Sequence, residues 1–375
     1  MATRAKGWTV LGLMSGTSMD GVDACLARIT LSPGKLRFKI LDCVVLPFEA
    51  DLKAAIAGAL TGGAEDLAAL HIRLGQVYAQ DAERFLKGRT VDLVGCHGQT
   101  VAHRDGRFTL QVGATAPLSQ RLGAPVVSGF RDADLAVGGN GAPLMPYLDW
   151  LLCQSRSSPT VTLNLGGVAN ISAIPSDTGR LDVLGFDTGP GMGLIDEAAQ
   201  RLFDSPFDRD GGYSAGGVIH EGLLAELMGH PFIRRRPPKS TGRNEFGGTL
   251  VQQLVVRFPI PPADLLRTLV YFTARSIAYN IRQFVKFHRS VDILIVSGGG
   301  VRHPLLMADL QAELPGWDVV TSDTLGIDPD YKEAFLMAVL AVAHIQGMAG
   351  NMPGVTGATN SVVLGQRTAS PGLTT

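Results

Sequence analysis

The sequence predicts an α/β protein built as two lobes of similar construction. Three observations predict it. The chain has 375 residues, longer than most single domains. Short apolar runs bounded by glycine alternate with long stripes at helical spacing, which is the grammar of α/β folds. A strand-turn-strand pattern opens the chain and starts again near residue 160, with no alignable repeat of the residues themselves.

Taken in order, Trp8 to Met14 reads as a buried strand, Gly16 to Gly21 as a turn, and Val22 to Ile29 as a returning strand. Lys35 to Leu46 completes an antiparallel meander. A helix-rich stretch follows from about Asp51 to Phe85. Then come a strand at Val91 to Cys96, a turn at His97-Gly98-Gln99-Thr100, a hairpin through Gly106 and a strand at Pro125 to Ser128. Beyond the glycine-rich Gly138 to Pro143, a helix covers Met145 to Cys153. The grammar then restarts with strands at Thr160 to Leu165, Ala169 to Ile174 and Leu181 to Phe186, the first two joined by Gly166-Gly167. A helix is expected at Leu194 to Phe203. Leu265 to Phe284 holds a 3.6-residue apolar stripe and is the clearest helix in the chain. A strand at Val291 to Val296 leads through Ser297 and three glycines to a helix at Pro304 to Leu314. Tyr331 to Gln346 is apolar nearly all round, as a buried helix would be. The small, polar tail from Ala369 is expected to fray.

Composition excludes several function classes. A net charge of -1 gives no electrostatic footprint for nucleic acid or an anionic membrane. The one dense basic run, Arg234, Arg235, Arg236 and Lys239, reads as a solvated loop or a local anion contact. Cys25, Cys43, Cys96 and Cys153 stand far apart without a CxxC pair, which suits buried thiols in a reducing compartment. His97 and His103 lack the spacing of paired metal ligands and read as site lining or ordinary packing. The apolar stretch Trp8 to Met14 runs into Ser-Gly-Thr-Ser with no cleavage-like site, and no run of about 20 apolar residues spans a bilayer. A cytoplasmic protein without a membrane partner is the expectation.

Three glycine turns, each after an apolar strand, carry the chemistry. The first is GLMSGTSMDGVD, Gly12 to Asp23. There the backbone amides and the hydroxyls of Ser15, Thr17 and Ser18 can approach phosphate oxygens, and Asp20 is placed to hold Mg2+. Alone, such a turn is also an ordinary hairpin. The second is GFDTGPGMG, Gly185 to Gly193, which sets Asp187 beyond a strand end where a general base is needed. Its plain alternative is a capped turn before a helix. The third, Val296-Ser-Gly-Gly-Gly300, offers bare backbone to an adenine or ribose. Two phosphate-type turns from separate lobes plus a late glycine turn make the layout of the actin-like ATPase fold. Lys239-Ser240-Thr241 follows two prolines and completes no P-loop, and Gly-Val-Ala-Asn makes no dinucleotide fingerprint.

The motifs as an ordered set resemble the anhydro-N-acetylmuramic acid kinase family over nearly the whole chain. They are LGLMSGTSMDGVD (11–23), CHGQTVAH (96–103), FRDADLAVGGNGAPLMP (130–146), LNLGGVANI (163–171), GFDTGPG (185–191), PPKSTGR (237–243), VSGGGVRHPLL (296–306), KEAFLMAVLA (332–341) and PGVTGA (353–358). The resemblance implies a two-lobed actin-like ATPase fold of duplicated ribonuclease H-like cores around a central nucleotide cleft. It implies lobe I from residues 1–135 plus about 345–375, and lobe II from residues 136–344. It also implies ATP with Mg2+, a small anhydro-sugar substrate, a homodimer and a place in peptidoglycan recycling. The reaction is unusual, because O6 of a 1,6-anhydro sugar is tied to the anomeric carbon. Water must open that bridge while O6 receives the phosphoryl group. On this reading Asp187 is the catalytic base. Gly16, Thr17, Ser18, Met19, Asp20, Gly21, Val22 and Asp23 cradle the phosphates, and Gly166, Gly167, Gly298, Gly299 and Gly300 complete the nucleotide site. Gln99, Thr100, Arg131 and Glu333 meet the sugar, with Asp20 and Glu333 near the metal. Arg131 could pair with the lactyl carboxylate of muramic acid.

The chain departs from the family pattern at two places. Met192 stands where the family usually has Asn, and Tyr147-Leu148-Asp149 stands where it tends to have His. Neither removes a residue that ATP binding or base catalysis needs. A levoglucosan kinase would share these motifs without a carboxylate to bind. A non-catalytic ATP-binding module would need neither Asp187 nor the His-Gly-Gln-Thr segment.

Overall fold

Strand β1 (Trp8–Ser15) is apolar on both faces, and its middle residues Val10 and Leu11 are fully buried. That pattern belongs to a strand covered on both sides. A computed structural model describes residues 7–16, 21–176, 179–242, 244–289 and 291–370. β2 (Gly21–Ser32) pairs antiparallel with β1, and β3 (Lys35–Pro47) pairs antiparallel with β2. β3 is the edge, and it turns Lys35, Arg37 and Lys39 to solvent. Charged edges of this kind discourage strand addition. Helices α1 (Ala50–Ala59) and α2 (Ala64–Leu86) follow. Then come β4 (Leu93–Arg104), parallel to β1, and β5 (Phe108–Val112), which pairs back on β4. α3 (Thr115–Leu122), β6 (Val126–Ser128), α4 (Asp132–Ala136) and α5 (Met145–Cys153) complete this stretch.

The second stretch repeats the construction. β7 (Thr160–Leu165), β8 (Val168–Ile174) and β9 (Leu184–Pro190) form the meander. Helices α6 (Gly193–Phe203), α7 (Glu221–Met228), α8 (Pro231–Arg234), α9 (Gly248–Arg257) and α10 (Pro262–Phe284) follow. β10 (Ile293–Ser297) then joins β7 in parallel, and after α11 (Pro304–Glu313) β11 (Asp318–Thr321) joins β10 in parallel. The chain ends with α12 (Lys332–Ile345), α13 (Pro353–Thr356) and β12 (Gln366–Thr368), the last antiparallel to β6.

The two sheets therefore run β12-β6-β4-β1-β2-β3 and β11-β10-β7-β8-β9. In each, a three-strand meander is extended past its first strand by two parallel strands. This is the ribonuclease H-like order twice, the duplication expected of an actin-like ATPase fold. Each sheet has its own core: Leu11, Leu13, Leu74, Val94 and their neighbours in one, Leu163, Ile171, Leu269, Ile277 and their neighbours in the other.

The chain divides into Met1–Leu152 with Tyr331–Thr375, and Cys153–Asp330. The expected boundaries after residues 135 and 344 are thus corrected at both joints. α12 is the reason: it lies on β1, β2 and β4, and its Lys332 forms an ion pair with Asp149 of α5 at 2.6 Å. Both helices consequently belong to the first unit, and so does Glu333.

Two local expectations also change. His97 to Thr100 do not form a turn but lie inside β4, where Gly98 takes φ +77° and the pairing with β1 slips by a residue. Leu181 precedes β9, which starts at Leu184 and runs on through Asp187 to Pro190. Asp187 is a strand residue, not one beyond a strand end. Cys25, Cys96 and Cys153 are buried free thiols, while Cys43 is only half-buried. Among the described residues no helix is long and apolar enough to cross a membrane.

Candidate active site

Asp187 is fixed from both sides of its strand. It stands opposite Asn170 of β8, and its N–H donates to the carbonyl of Lys239 at 3.1 Å. The backbone N–H of Thr241 donates to its Oδ2 at 2.9 Å. Thr241 Oγ1 in turn donates to Glu245 Oε2 at 2.7 Å. On the helical side, Asn280 of α10 donates to the carbonyl of Thr188 at 3.0 Å. The Thr188 hydroxyl donates to the carbonyl of Ala169.

Lys239 supplies a cation beside it. Its ammonium donates to the carbonyls of Phe232 and Ile233 at 3.0 and 3.2 Å, which caps α8. It also lies over the Phe186, Phe232 and Phe284 rings at 5.8, 4.6 and 5.4 Å, a cation–π cage. Burial, aided by Arg235, pulls its pKa down to about 8, while Asp187 and Glu245 work the other way. The basic run read as a solvated loop is therefore divided. Lys239 is buried, and Arg235 donates to the Ser240 carbonyl and stacks on Phe232.

The three glycine segments of this unit meet. The carbonyls of Gly166 and Gly167 accept from the N–H groups of Gly191, Met192 and Gly193, so the β7–β8 turn seats the start of α6. A Cβ on Gly191 would lie 2.2 Å from the Gly166 oxygen. Gly298 takes φ +86° and packs its backbone against the Leu165 carbonyl, where a Cβ would come within 2.7 Å. Gly167 and Gly299, by contrast, are exposed, and a Cβ on either would meet nothing within 4 Å. Two patches of bare backbone thus border one packed glycine junction, as close approach to a flat ligand requires.

In the other unit, Gly16 ends the described part of the first turn and Gly21, Val22 and Asp23 open β2, with Asp23 opposite Met14. Thr17, Ser18, Met19 and Asp20 lie outside the described residues. Gln99 is buried and its amide is engaged by that turn. Oε1 accepts from Ser15 Oγ at 2.5 Å and Nε2 donates to the Gly16 carbonyl at 3.2 Å. Gln99 thus ties β4 to the end of β1 and to Gly16. Thr100 is half-buried and its hydroxyl accepts from Gln111 Nε2 at 3.3 Å.

Arg131 reaches the same strand. Its Nε donates to His97 Nε2 at 3.1 Å and its Nη1 to the Gly141 carbonyl at 2.8 Å. Burial pulls the guanidinium down to about 10, opposed by the charge of Glu333 in the first turn of α12. Arg131, Glu333, His97, Gln99 and Thr100 therefore sit in one unit, drawn from α12, β4 and the start of α4. Among the described residues no group of three His, Cys, Asp or Glu could hold a metal. Mg2+ needs no such cage, because it keeps waters and takes one or two carboxylates with phosphate oxygens.

A sequence model of the anhydro-N-acetylmuramic acid kinase family matches residues 8–370. The chain belongs to that family. Relatives named anhydro-N-acetylmuramic acid kinase include one from Salinibacter ruber, 40% identical over 95% of this chain and 95% of its own. Another, from Bacillus cereus, is 35% identical over 96% and 99%. A third, from Caldanaerobacter subterraneus, is 34% identical over 95% and 96%. Among solved structures, a ROK family glucokinase from Streptomyces griseus in complex with glucose and AMPPNP is 14% identical with a TM-score of 0.39, covering 89% of this chain and 99% of that one.

Both departures from the anhydro-N-acetylmuramic acid kinase pattern have a local account. The Met192 side chain packs against the core of its unit while its amide serves the Gly166 carbonyl. Asp149, 2% exposed, is paired with Lys332. Sequence reading assigned no role to Thr241, Glu245 and Asn280 around Asp187, and took His97 as site lining or ordinary packing. The Lys239-Ser240-Thr241 tripeptide completes no P-loop and belongs to the PPKSTGR motif. Its signal lay in standing within a family motif, not in any pattern of its own.

Proposed function

We propose that this chain is an ATP-dependent kinase that opens 1,6-anhydro-N-acetylmuramic acid with water and phosphorylates the released O6. The products are N-acetylmuramic acid 6-phosphate and ADP. The observation that carries this reading is the setting of Asp187: a strand carboxylate with a backbone donor on Oδ2 and a lysine cation nearby. Asp187 takes a proton from water as the water oxygen bonds to the anomeric carbon. The bond from that carbon to O6 breaks, and O6 accepts the γ-phosphoryl group as ADP departs. General-base help of this kind contributes roughly 100- to 10,000-fold. The remaining acceleration comes from positioning and charge neutralisation, the pattern of phosphoryl transfer.

The roles of the other residues follow their surroundings. Residues Gly16 to Asp23 take the phosphates, with Gln99 bracing the turn. Asp20 takes Mg2+, which would neutralise charge on the phosphate oxygens. Glu333, in the first turn of α12 and within charge range of Arg131, takes a sugar hydroxyl. Arg131 takes the lactyl carboxylate and Thr100 a sugar hydroxyl. Gly166, Gly167 and Gly298 to Gly300 take the nucleoside. A cytoplasmic homodimer acting in peptidoglycan recycling is the accompanying proposal, and light scattering tests the dimer.

The test is ADP release from ATP and Mg2+ with 1,6-anhydro-N-acetylmuramic acid or levoglucosan. Turnover of the muramic sugar that is lost in Asp187→Asn supports the reading. Turnover of levoglucosan alone moves the chain to a neutral anhydro sugar, and silence with both makes it an ATP-binding module.

A further inference from the structure

We infer that His97 is a positioning residue of the proposed sugar site, a neutral imidazole whose Nε2 lone pair aims the Arg131 guanidinium at an anionic group on the substrate. The inference rests on the kinase reading only for the identity of that substrate. Its geometric part stands alone.

His97 is buried, and each ring nitrogen has one partner. Nδ1 lies 2.8 Å from the Gly98 carbonyl. A carbonyl oxygen only accepts, so Nδ1 carries the hydrogen. Nε2 lies 3.1 Å from Arg131 Nε, which only donates. Nε2 must then present a lone pair, and the tautomer is fixed without ambiguity. Protonating the ring would set two N–H groups against each other in a buried place. Burial first, then the Arg131 charge, hold the imidazole well below its ordinary range, at about 3.

The frame around this contact is rigid. Arg131 Nη1 is held by the Gly141 carbonyl. The loop between them is tied by Asp134, 1% exposed, whose Oδ2 accepts from the Gly141 N–H at 2.9 Å. Its Oδ1 accepts from Asn351 Nδ2 and Thr356 Oγ1, both at 2.8 Å. Two guanidinium nitrogens therefore have fixed acceptors, which sets the plane of the group and directs its Nη2. Glu333 lies near enough to oppose the desolvation of the guanidinium. The bound partner of a guanidinium oriented this way is a planar anion, a carboxylate above all.

The test compares His97→Leu, which removes the acceptor, with His97→Gln, which returns an acceptor oxygen close to the place of Nε2. In His97→Leu the KM for anhydro-N-acetylmuramic acid is expected to rise about 10- to 100-fold, the factor that an orphaned buried partner costs. The KM for ATP stays within about threefold in this scheme, and His97→Gln recovers most of the loss. His97→Leu with Arg131→Met is expected to be no worse than Arg131→Met alone, since the two act as one unit. Equal rises in both KM values, or additive losses, overturn the inference. The tautomer is read separately from imidazole nitrogen shifts of the full chain at pH 7. Nδ1–H with a bare Nε2 that is lost in Arg131→Met supports the inference, and Nε2–H or a charged ring overturns it. A wild-type protein silent toward the muramic sugar would sink the kinase reading and leave this last measurement to decide the role of His97.

Discussion

Thr241 places its backbone N–H 2.9 Å from Oδ2 of Asp187, although 54 residues separate them in the chain. The contact joins the Pro-Pro-Lys-Ser-Thr segment to the Asp-Thr-Gly strand, and it is a backbone donor, so a side-chain change at 241 leaves it in place. Asp187→Asn keeps an acceptor oxygen for that N–H while removing the base. Its turnover is expected to fall roughly 100- to 10,000-fold with the melting temperature little changed. ADP release and a thermal melt check both halves, and activity within tenfold of wild type removes Asp187 from the role.

The buried Lys332–Asp149 pair predicts an asymmetry between single and double substitution. Both side chains are 2% exposed. Lys332→Met removes the ion-pair partner of a buried carboxylate, at a cost of about 3–5 kcal/mol. Lys332→Met with Asp149→Leu should regain most of that, because two apolar groups need no partner. Denaturant midpoints of the three proteins make the comparison. A double variant as unstable as the single one would show that the pair is held by more than mutual charge.

Gly12 predicts a backbone collision. A Cβ there would lie 1.9 Å from the Ala334 oxygen and 2.9 Å from the Ala338 nitrogen, both backbone atoms of α12. Gly12→Ala must push the helix off the sheet, and a loss of about 3 kcal/mol or more is expected from overpacking of this kind. Gly58 in α1 meets nothing within 4 Å. Gly58→Ala should stabilise by about 0.5–1 kcal/mol through helix propensity alone. Opposite signs in one melting series are the expected outcome.

His97 predicts part of the acid limb of stability. Its pKa falls from 6.5 to about 3 on folding. The unfolded chain binds this proton below 6.5 while the folded chain refuses it, so stability is full above 6.5 and drops as pH falls toward 3. The steepest slope is about 1.4 kcal/mol per pH unit for one proton. Arg131 is the charged group facing the ring, and it deepens the effect. His97→Gln should flatten the difference curve between pH 6 and 4 by nearly one proton. Equal slopes in the two proteins would place the His97 pKa in its ordinary range.

Periodicity and glycine placement by themselves determined the two meanders, the long helix over residues 265–284, the buried helix over 331–346 and the turns at Gly166-Gly167 and Gly298. Those are local matters, set by side-chain spacing of two or 3.6 and by where a Cβ cannot fit. The family followed from ordered motifs. Tertiary structure decided what lay in contacts between distant segments. The unit boundaries moved because α12 seats its Ala334 and Met337 carbonyls over Gly12 and Gly95, which fixes Glu333 in the same unit as Arg131. His97 looked like lining until Arg131 Nε met its ring. Lys239 read as a solvated charge because nothing in the local sequence announces the three phenylalanines that enclose it. A side chain's charge state and orientation depend on the groups that surround it in space, and one strand of sequence carries no record of which those will be.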